Sequence, residues 1–172
     1  FDRIVSVGMF EHVGVNGYDA FFHKIFNLLS DDGFALLHSI GHMSPPGTAS
    51  PWLRKYIFPG AYSPALSEVF AATERQHLCV SDTEVLRVHY ADTMAEWNRR
   101  FQHNRKRVEE IYDENFCRMW EFYLISAETM FRTGAQMAFQ MTLSRTRDAT
   151  PLSRDYMFEA EQRYAAAEEL DI

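Results

Sequence analysis

The sequence predicts an α/β fold, and three observations carry that expectation. Residues 1–14, FDRIVSVGMFEHVG, form an apolar run through Phe1, Ile4, Val5 and Val7 that stops at Gly8 and delivers Glu11 beside His12. Residues 34–40, FALLHSI, are a continuous apolar run of strand length, as expected for a strand covered on both faces. Between them, residues 18–29 place Phe21, Phe22, Ile25, Phe26, Leu28 and Leu29 at helical spacing. Strand, helix, a Ser30-Asp31-Asp32-Gly33 turn and a second strand make a βαβ unit with a right-handed crossover. In such sheets ligands bind beyond the carboxyl ends of the strands, which is where Glu11 falls.

The remaining elements follow in order. Residues 41–50 are a loop, because Pro45, Pro46 and Gly47 exclude regular structure. Residues 51–58, PWLRKYIF, are expected as a short helix with Pro51 in its first turn, broken by Pro59-Gly60. Ser63-Pro64 opens a further helix to about residue 76, with Glu68 near its start. Residues 77–81 and 85–89 read as two short strand-like segments. Residues 92–112 and 113–132 have the period of two long helices, and residues 136–144, QMAFQMTLS, alternate like a late antiparallel strand. The tail, residues 146–172, is charged and reads as an exposed helix or a partly ordered extension.

Composition narrows the function classes. A chain of 172 residues can hold one domain with a proper core. Fourteen Phe, eight Tyr, eight Met and three Trp supply bulky walls, suited either to a dense core or to a large apolar ligand. The net charge of −7 excludes nucleic-acid binding through general charge. Arg99, Arg100, Arg105, Lys106 and Arg107 form one cationic cluster, either a solvated helix face or a contact for anionic headgroups. Cys79 and Cys117 offer neither a disulfide framework nor metal spacing, so a reducing cytoplasm is the default and no metal is expected.

Three polar groups interrupt apolar runs. Read alone, Glu11 caps the loop after its strand, His38 is a satisfied strand histidine, and Tyr90, in VLRVHYADTMAEW, is a wall aromatic. Glu11 and His38 nevertheless close successive strands of one βαβ unit. Convergent titratable groups at such an edge are a better site candidate than either one.

The segments FDRIVSVGMFEHVG, LLHSIG, PWLRKYIFPG, HYADTMAEW and FCRMWEFYL, in this order and spacing, resemble the cyclopropane-fatty-acyl-phospholipid synthases and the related mycolic-acid methyltransferases. The resemblance reaches to about residue 145 and implies the C-terminal part of a Rossmann-like class I methyltransferase sheet with a helical lid insertion, roughly residues 51–112. The charged tail from residue 146 lies outside it. It further implies S-adenosyl-L-methionine as methyl donor and a bound bicarbonate held by Glu11, His38, Tyr90 and the backbone of Ile40. The methyl group would add to the cis double bond of a phospholipid acyl chain, and the resulting carbocation would lose a proton to the bicarbonate as the ring closes. Phe10, Tyr56, Phe58 and Tyr123 are the aromatic candidates for lining the acyl chain and facing the cation, or for plain core packing.

Two departures accompany the resemblance. The family's glycine-rich cofactor turn and ribose-binding acid have no counterpart here, so the chain is expected to be the C-terminal portion of a longer enzyme and inactive alone. A family cysteine in the FCRMWEFYL helix is replaced by Ala127, which argues against an obligatory thiol at that position. The implied setting is cytoplasmic, peripheral at the inner membrane face. Non-cyclising methylation of a fatty acid, methylation of a small amine, or a non-catalytic lipid-binding module are the alternatives. The oligomeric state is open, with a homodimer among the options.

Overall fold

The computed structural model describes residues 1–168 of the chain. A sheet of four strands, β1 (Arg3–Val7), β2 (Phe34–Gly41), β3 (Cys79–Val85) and β4 (Met137–Ser144), runs in the order β1-β2-β4-β3. β1 and β2 pair in parallel, whereas β4 is antiparallel to both β2 and β3. Among the described residues the α-helices are α1 (Tyr18–Leu28), α2 (Pro51–Tyr56), α3 (Leu66–Arg75), α4 (His89–Ile111), α5 (Glu114–Arg132) and α6 (Asp155–Glu168).

β1, α1 and β2 are the βαβ unit read from the sequence. One face of β2 buries Ala35, Leu37, Ser39 and Gly41. Against that face α1 packs Tyr18, Phe22 and Ile25, and α3 packs Leu66, Val69 and Ala72, with Phe139 and Met141 of β4 completing the cluster. Gly41 is required by close approach: a Cβ there would lie 2.7 Å from the Pro64 carbonyl oxygen and 2.9 Å from the Phe139 ring. A second cluster joins α4 to α5 through Ala91, Met94, Phe101, Leu124, Ala127 and Phe131. Arg105 clamps the same pair at its far end, bonding Glu114 at 2.9 Å and Glu121 at 3.0 Å.

Within the expected insertion, roughly residues 51–112, α3 joins the sheet core while residues of α2 and α4 belong to the α4–α5 cluster. One expectation changes. The two short strand-like segments are a single strand whose middle, Ser81-Asp82-Thr83-Glu84, is polar because β3 is a sheet edge. A register shift between Val80 and Asp82 and positive φ values at His77 and Arg87 set its limits, and His89 starts α4 instead of ending a strand. In the tail, Arg154 grips Asp82 with two 2.6 Å bonds just before α6 begins. Residues 169–172 of the expected tail lie outside the described residues.

Candidate active site

The site starts where β1 ends. Gly8 has φ +65°, a left-handed conformation that turns the chain off the sheet edge and into a 3-10 turn, Phe10–His12. The Gly8 amide still donates to the His38 carbonyl at 3.1 Å, the last rung between β1 and β2. The next amide on that side of β2, Ile40 N–H, has lost its strand partner. Glu11 Oε1 accepts from it at 2.7 Å, so a side-chain carboxylate continues the ladder where the backbone has left. Glu11 Oε2 is buried and has no hydrogen-bond partner among the described residues. A buried acceptor left unpaired costs about 1–3 kcal/mol, so this oxygen marks where a donor belongs.

Glu11 and Ile40 lie on the wall of a cavity of about 460 Å³ between the ends of the strands and the α4–α5 pair. Tyr90, Met94, Tyr123, Ala127, Met130 and Phe131 form its helical side. The Tyr90 ring packs 4.9 Å from Phe131 and 6.3 Å from Trp97. Burial raises the Tyr90 phenol above its usual range, and the Glu11 carboxylate raises it further. Burial, with Tyr90 adding to it, pushes Tyr123 up to about 12. Both phenols therefore stay protonated at neutral pH and are hydrogen-bond donors.

The expected site residues do not all meet. Glu11, Ile40 and Tyr90 share the cavity. His38 stands one register step back on β2, opposite Gln140, whose amide lies 3.3 Å from His38 Nδ1, and it is not on the cavity wall. The Ile40 amide is occupied by Glu11 and is not free for a further ligand. Phe58 and Tyr123 line the cavity and pack edge to face at 5.7 Å. Phe10 does not: it is fully buried in the sheet core, stacked 4.3 Å from Tyr18. Tyr56 is also off the wall, half exposed, with its ring 5.7 Å from Trp52 and Lys55 above it. In the cationic cluster, Arg99 and Arg100 both bind Glu96 and Arg105 is taken by Glu114 and Glu121, so three of the five charges are matched within the chain.

Sequence reasoning missed His12, His42, Arg54, Met94 and Gln136, which also line the cavity. His42 follows the last residue of β2, so the strand-end rule that selected Glu11 applied to it equally. Arg54 and Met94 carry no such signal, since each sits in an ordinary helical pattern. Among the described residues, no group of three or more His, Cys, Asp or Glu side chains could hold a metal ion. No described helix is long and apolar enough to cross a membrane.

A parallel βαβ unit continued by antiparallel strands, with the site at the strand ends, is the carboxyl-side half of a class I methyltransferase fold. Solved structures agree: the cyclopropane synthase MmaA2 from Mycobacterium tuberculosis superposes with a TM-score of 0.78 at 28% identity, covering 83% of this chain and 54% of that one. The mycolic acid cyclopropane synthase CmaA1 complexed with SAH and CTAB gives 0.76 at 32% identity, again over 83% and 54%. The chain belongs to the mycolic acid cyclopropane synthetase family, which matches residues 1–141. It is 36% identical over 145 residues to the cyclopropane-fatty-acyl-phospholipid synthase of Escherichia coli K12, a match covering 84% of this chain and 38% of that protein. It is 34% identical over 151 residues to the tuberculostearic acid methyltransferase UfaA1 of Mycobacterium tuberculosis, covering 84% and 35%. The chain thus spans little more than a third of the length of these curated relatives.

Proposed function

We propose that this chain forms the acyl-chain side of an S-adenosyl-L-methionine-dependent cyclopropane synthase acting on unsaturated phospholipids. The observation that supports this best is an apolar cavity with one buried, unpartnered carboxylate oxygen, Glu11 Oε2, at its strand-end wall. A hydrocarbon chain suits the walls of Met94, Tyr123, Ala127 and Phe131. The lone oxygen suits a small hydroxylic group that donates to it, and bicarbonate is such a group. When bound, bicarbonate supplies a base, which a hydrocarbon substrate lacks. Glu11 would accept its hydroxyl and the Tyr90 phenol would donate to it, each acting as an orienting contact. Ile40 would act indirectly, by fixing Glu11 Oε1. For His38 the proposed ligand role requires its ring to turn from Gln140 toward the cavity. The aromatic faces of Phe58 and Tyr123 would flank the transient carbocation.

The substrate would come from a bilayer, so the enzyme would work peripherally at the cytoplasmic face of the inner membrane. Non-cyclising methylation is the second reading, favoured by one observation: His38, one of the expected bicarbonate ligands, is off the cavity wall. Expression of the complete gene with mass spectrometry of membrane fatty acids tests both. A gain of about 14 mass units on unsaturated chains is expected, and its absence removes both readings. Given the gain, proton NMR for ring protons separates cyclopropane from methyl branch.

A further inference from the structure

Part of the cavity lining has been given no role: the polar set His42, Ser44, Thr48, Ser50 and Arg54, from the end of β2, the following loop and α2, here called its rim. Arg54, Thr48, Ala49 and Ala61 also line a neighbouring groove of about 450 Å³ bordered by Val13, Asn16 and Tyr62. Arg54 therefore stands at the junction of the two spaces. In this acidic chain Arg75, Arg105, Arg132 and Arg154 each find a carboxylate. Arg54 is exposed and, like Arg107 and Arg118, has no carboxylate within 4 Å among the described residues. His42 is held in place: Ser44 Oγ lies 2.9 Å and the Ser44 carbonyl 3.0 Å from its Nδ1, and since the carbonyl contact needs a proton on Nδ1, Nε2, without a protein partner among the described residues, donates only in the imidazolium form.

We propose that this rim is an anion-recognition site, with Arg54 and His42 as its charged and ring donors and the loop hydroxyls beside them, that holds the phosphodiester of a phospholipid. The inference rests on the acyl-chain reading above and extends it from the chain to the headgroup. A guanidinium offers paired donors matched to phosphate oxygens, imidazolium N–H and hydroxyls add further donors, and a phosphodiester is acceptor-only. A phosphodiester has no hydroxyl to donate to Glu11, so unlike bicarbonate it gains nothing at the strand-end wall and is better matched by the donors of the rim. Anchoring the phosphate there fixes how far along the acyl chain the Glu11–Tyr90 wall can reach. The rim would thereby set which carbon pair is presented to the chemistry.

The test titrates the full-length chain with dihexanoyl phosphatidylglycerol below its micelle concentration, and separately with dihexanoylglycerol, which carries the same chains without phosphate. Binding is read from the fluorescence of Trp52, two residues before Arg54 in α2. The phospholipid should bind roughly tenfold more tightly, and Arg54→Gln together with His42→Asn should bring the two ligands level. Millimolar inorganic phosphate should compete with the phospholipid and leave the diacylglycerol unaffected, a measurement that needs no variant to fold. Equal binding of both lipids to the unmodified protein, or no competition by phosphate, overturns the headgroup site while leaving the acyl reading intact. Failure of both lipids to bind overturns the acyl reading and the headgroup site with it.

Discussion

The two cores of this protein use the same kind of residue to opposite ends. In the sheet core, Phe10, Tyr18, Phe22, Leu37, Phe139 and Met141 are essentially sealed from solvent, with Phe10 packed 4.3, 5.1 and 5.4 Å from the rings of Tyr18, Phe21 and Phe22. In the α4–α5 core the aromatic side chains frame a cavity, with Phe58 and Tyr123 meeting edge to face at 5.7 Å on its wall. Tyr90, Tyr123 and Phe131 line one side of a cavity, and Phe58 and Leu53 line another. The high aromatic content is therefore two populations, one that closes space and one that frames it. The division runs between adjacent residues: Phe10 belongs to the first and Glu11 to the second, because a single tight turn after Gly8 sends their side chains different ways.

The largest expected effect separates these populations. Phe10→Ala should cost about 3–5 kcal/mol, since its site is enclosed on all sides and cannot collapse. Phe58→Ala, at a position 42% exposed, should cost less than about 1 kcal/mol while weakening lipid binding. Urea denaturation of the two variants and titration with an unsaturated phospholipid check the pair. Equal destabilisation would mean that the cavity rim is as structural as the sheet core.

Next comes the hinge between the cores. Glu11→Ala leaves the Ile40 amide without its acceptor and should destabilise by about 1–3 kcal/mol. Glu11→Gln keeps an oxygen for that amide, so its denaturation midpoint should stay near that of the parent. In the complete enzyme the same Gln variant should lower kcat by about 100-fold with little change in lipid binding, as expected for a group that orients a base. Unchanged turnover would remove Glu11 from the proposed chemistry and leave it as a cap for β2.

These two residues also show how much of the molecule was legible beforehand. The βαβ unit was, because period-2 and period-3.6 apolar patterns are local properties, and so was Glu11, because a polar residue at a strand end is conspicuous. Tyr90 and Ile40 were placed through the resemblance and meet Glu11 in the cavity. Phe10 and Tyr56, candidates either for the wall or for plain packing, lie off the wall, because sequence records that a residue is aromatic and not which way a turn points it. β3 was split because Asp82 and Glu84 break the apolar pattern, and nothing local announces that Arg154, far along the chain, stands over them. Arg54 was missed because it sits in an ordinary helical pattern, whereas His42 was legible by the strand-end rule and was passed over.

A smaller effect concerns protonation inside the α4–α5 core. Tyr123 is held up to about 12 by burial and by Tyr90, against an ordinary value of 10. A raised value means that the folded state keeps its proton more tightly, so this contribution is complete below pH 10 and is lost as pH rises through about 12. The loss should be on the order of 2 kcal/mol across that interval. Tyr123→Phe keeps the ring and removes the ionisable hydroxyl, so it should leave neutral-pH stability nearly unchanged and flatten the alkaline fall. Tyr62 is also held up to about 12, by burial and then by its hydrogen bonds to Glu68, so Tyr62→Phe should flatten the alkaline fall and cost stability at neutral pH as well. If both variants behave alike, the cavity wall is as well bonded as the sheet core.

The smallest expected effect lies on the outer face of the same α4 helix. Glu96 is held down to about 2, first by the Arg99 hydrogen bond and then by Arg100. A depressed carboxyl contributes stability above its unfolded value of 4.5 and loses it as pH falls toward 2. Yet the group is solvent-facing, its arginines are about 70% exposed, and at about 0.15 M salt such pairs are heavily screened. Glu96→Gln should therefore leave the neutral-pH denaturation midpoint unmoved in physiological salt. Its effect should emerge only at low ionic strength, as a shallower loss of stability between pH 5 and pH 2. The inner face of α4, with Met94 and Tyr90 against the cavity, should answer to lipid and not to salt. Both pairs lie within α4, so a midpoint for Glu96→Gln that drops clearly at high salt would show that they hold the helix itself together despite screening, and that the cavity's α4 wall depends on its outer face as well as on its apolar one.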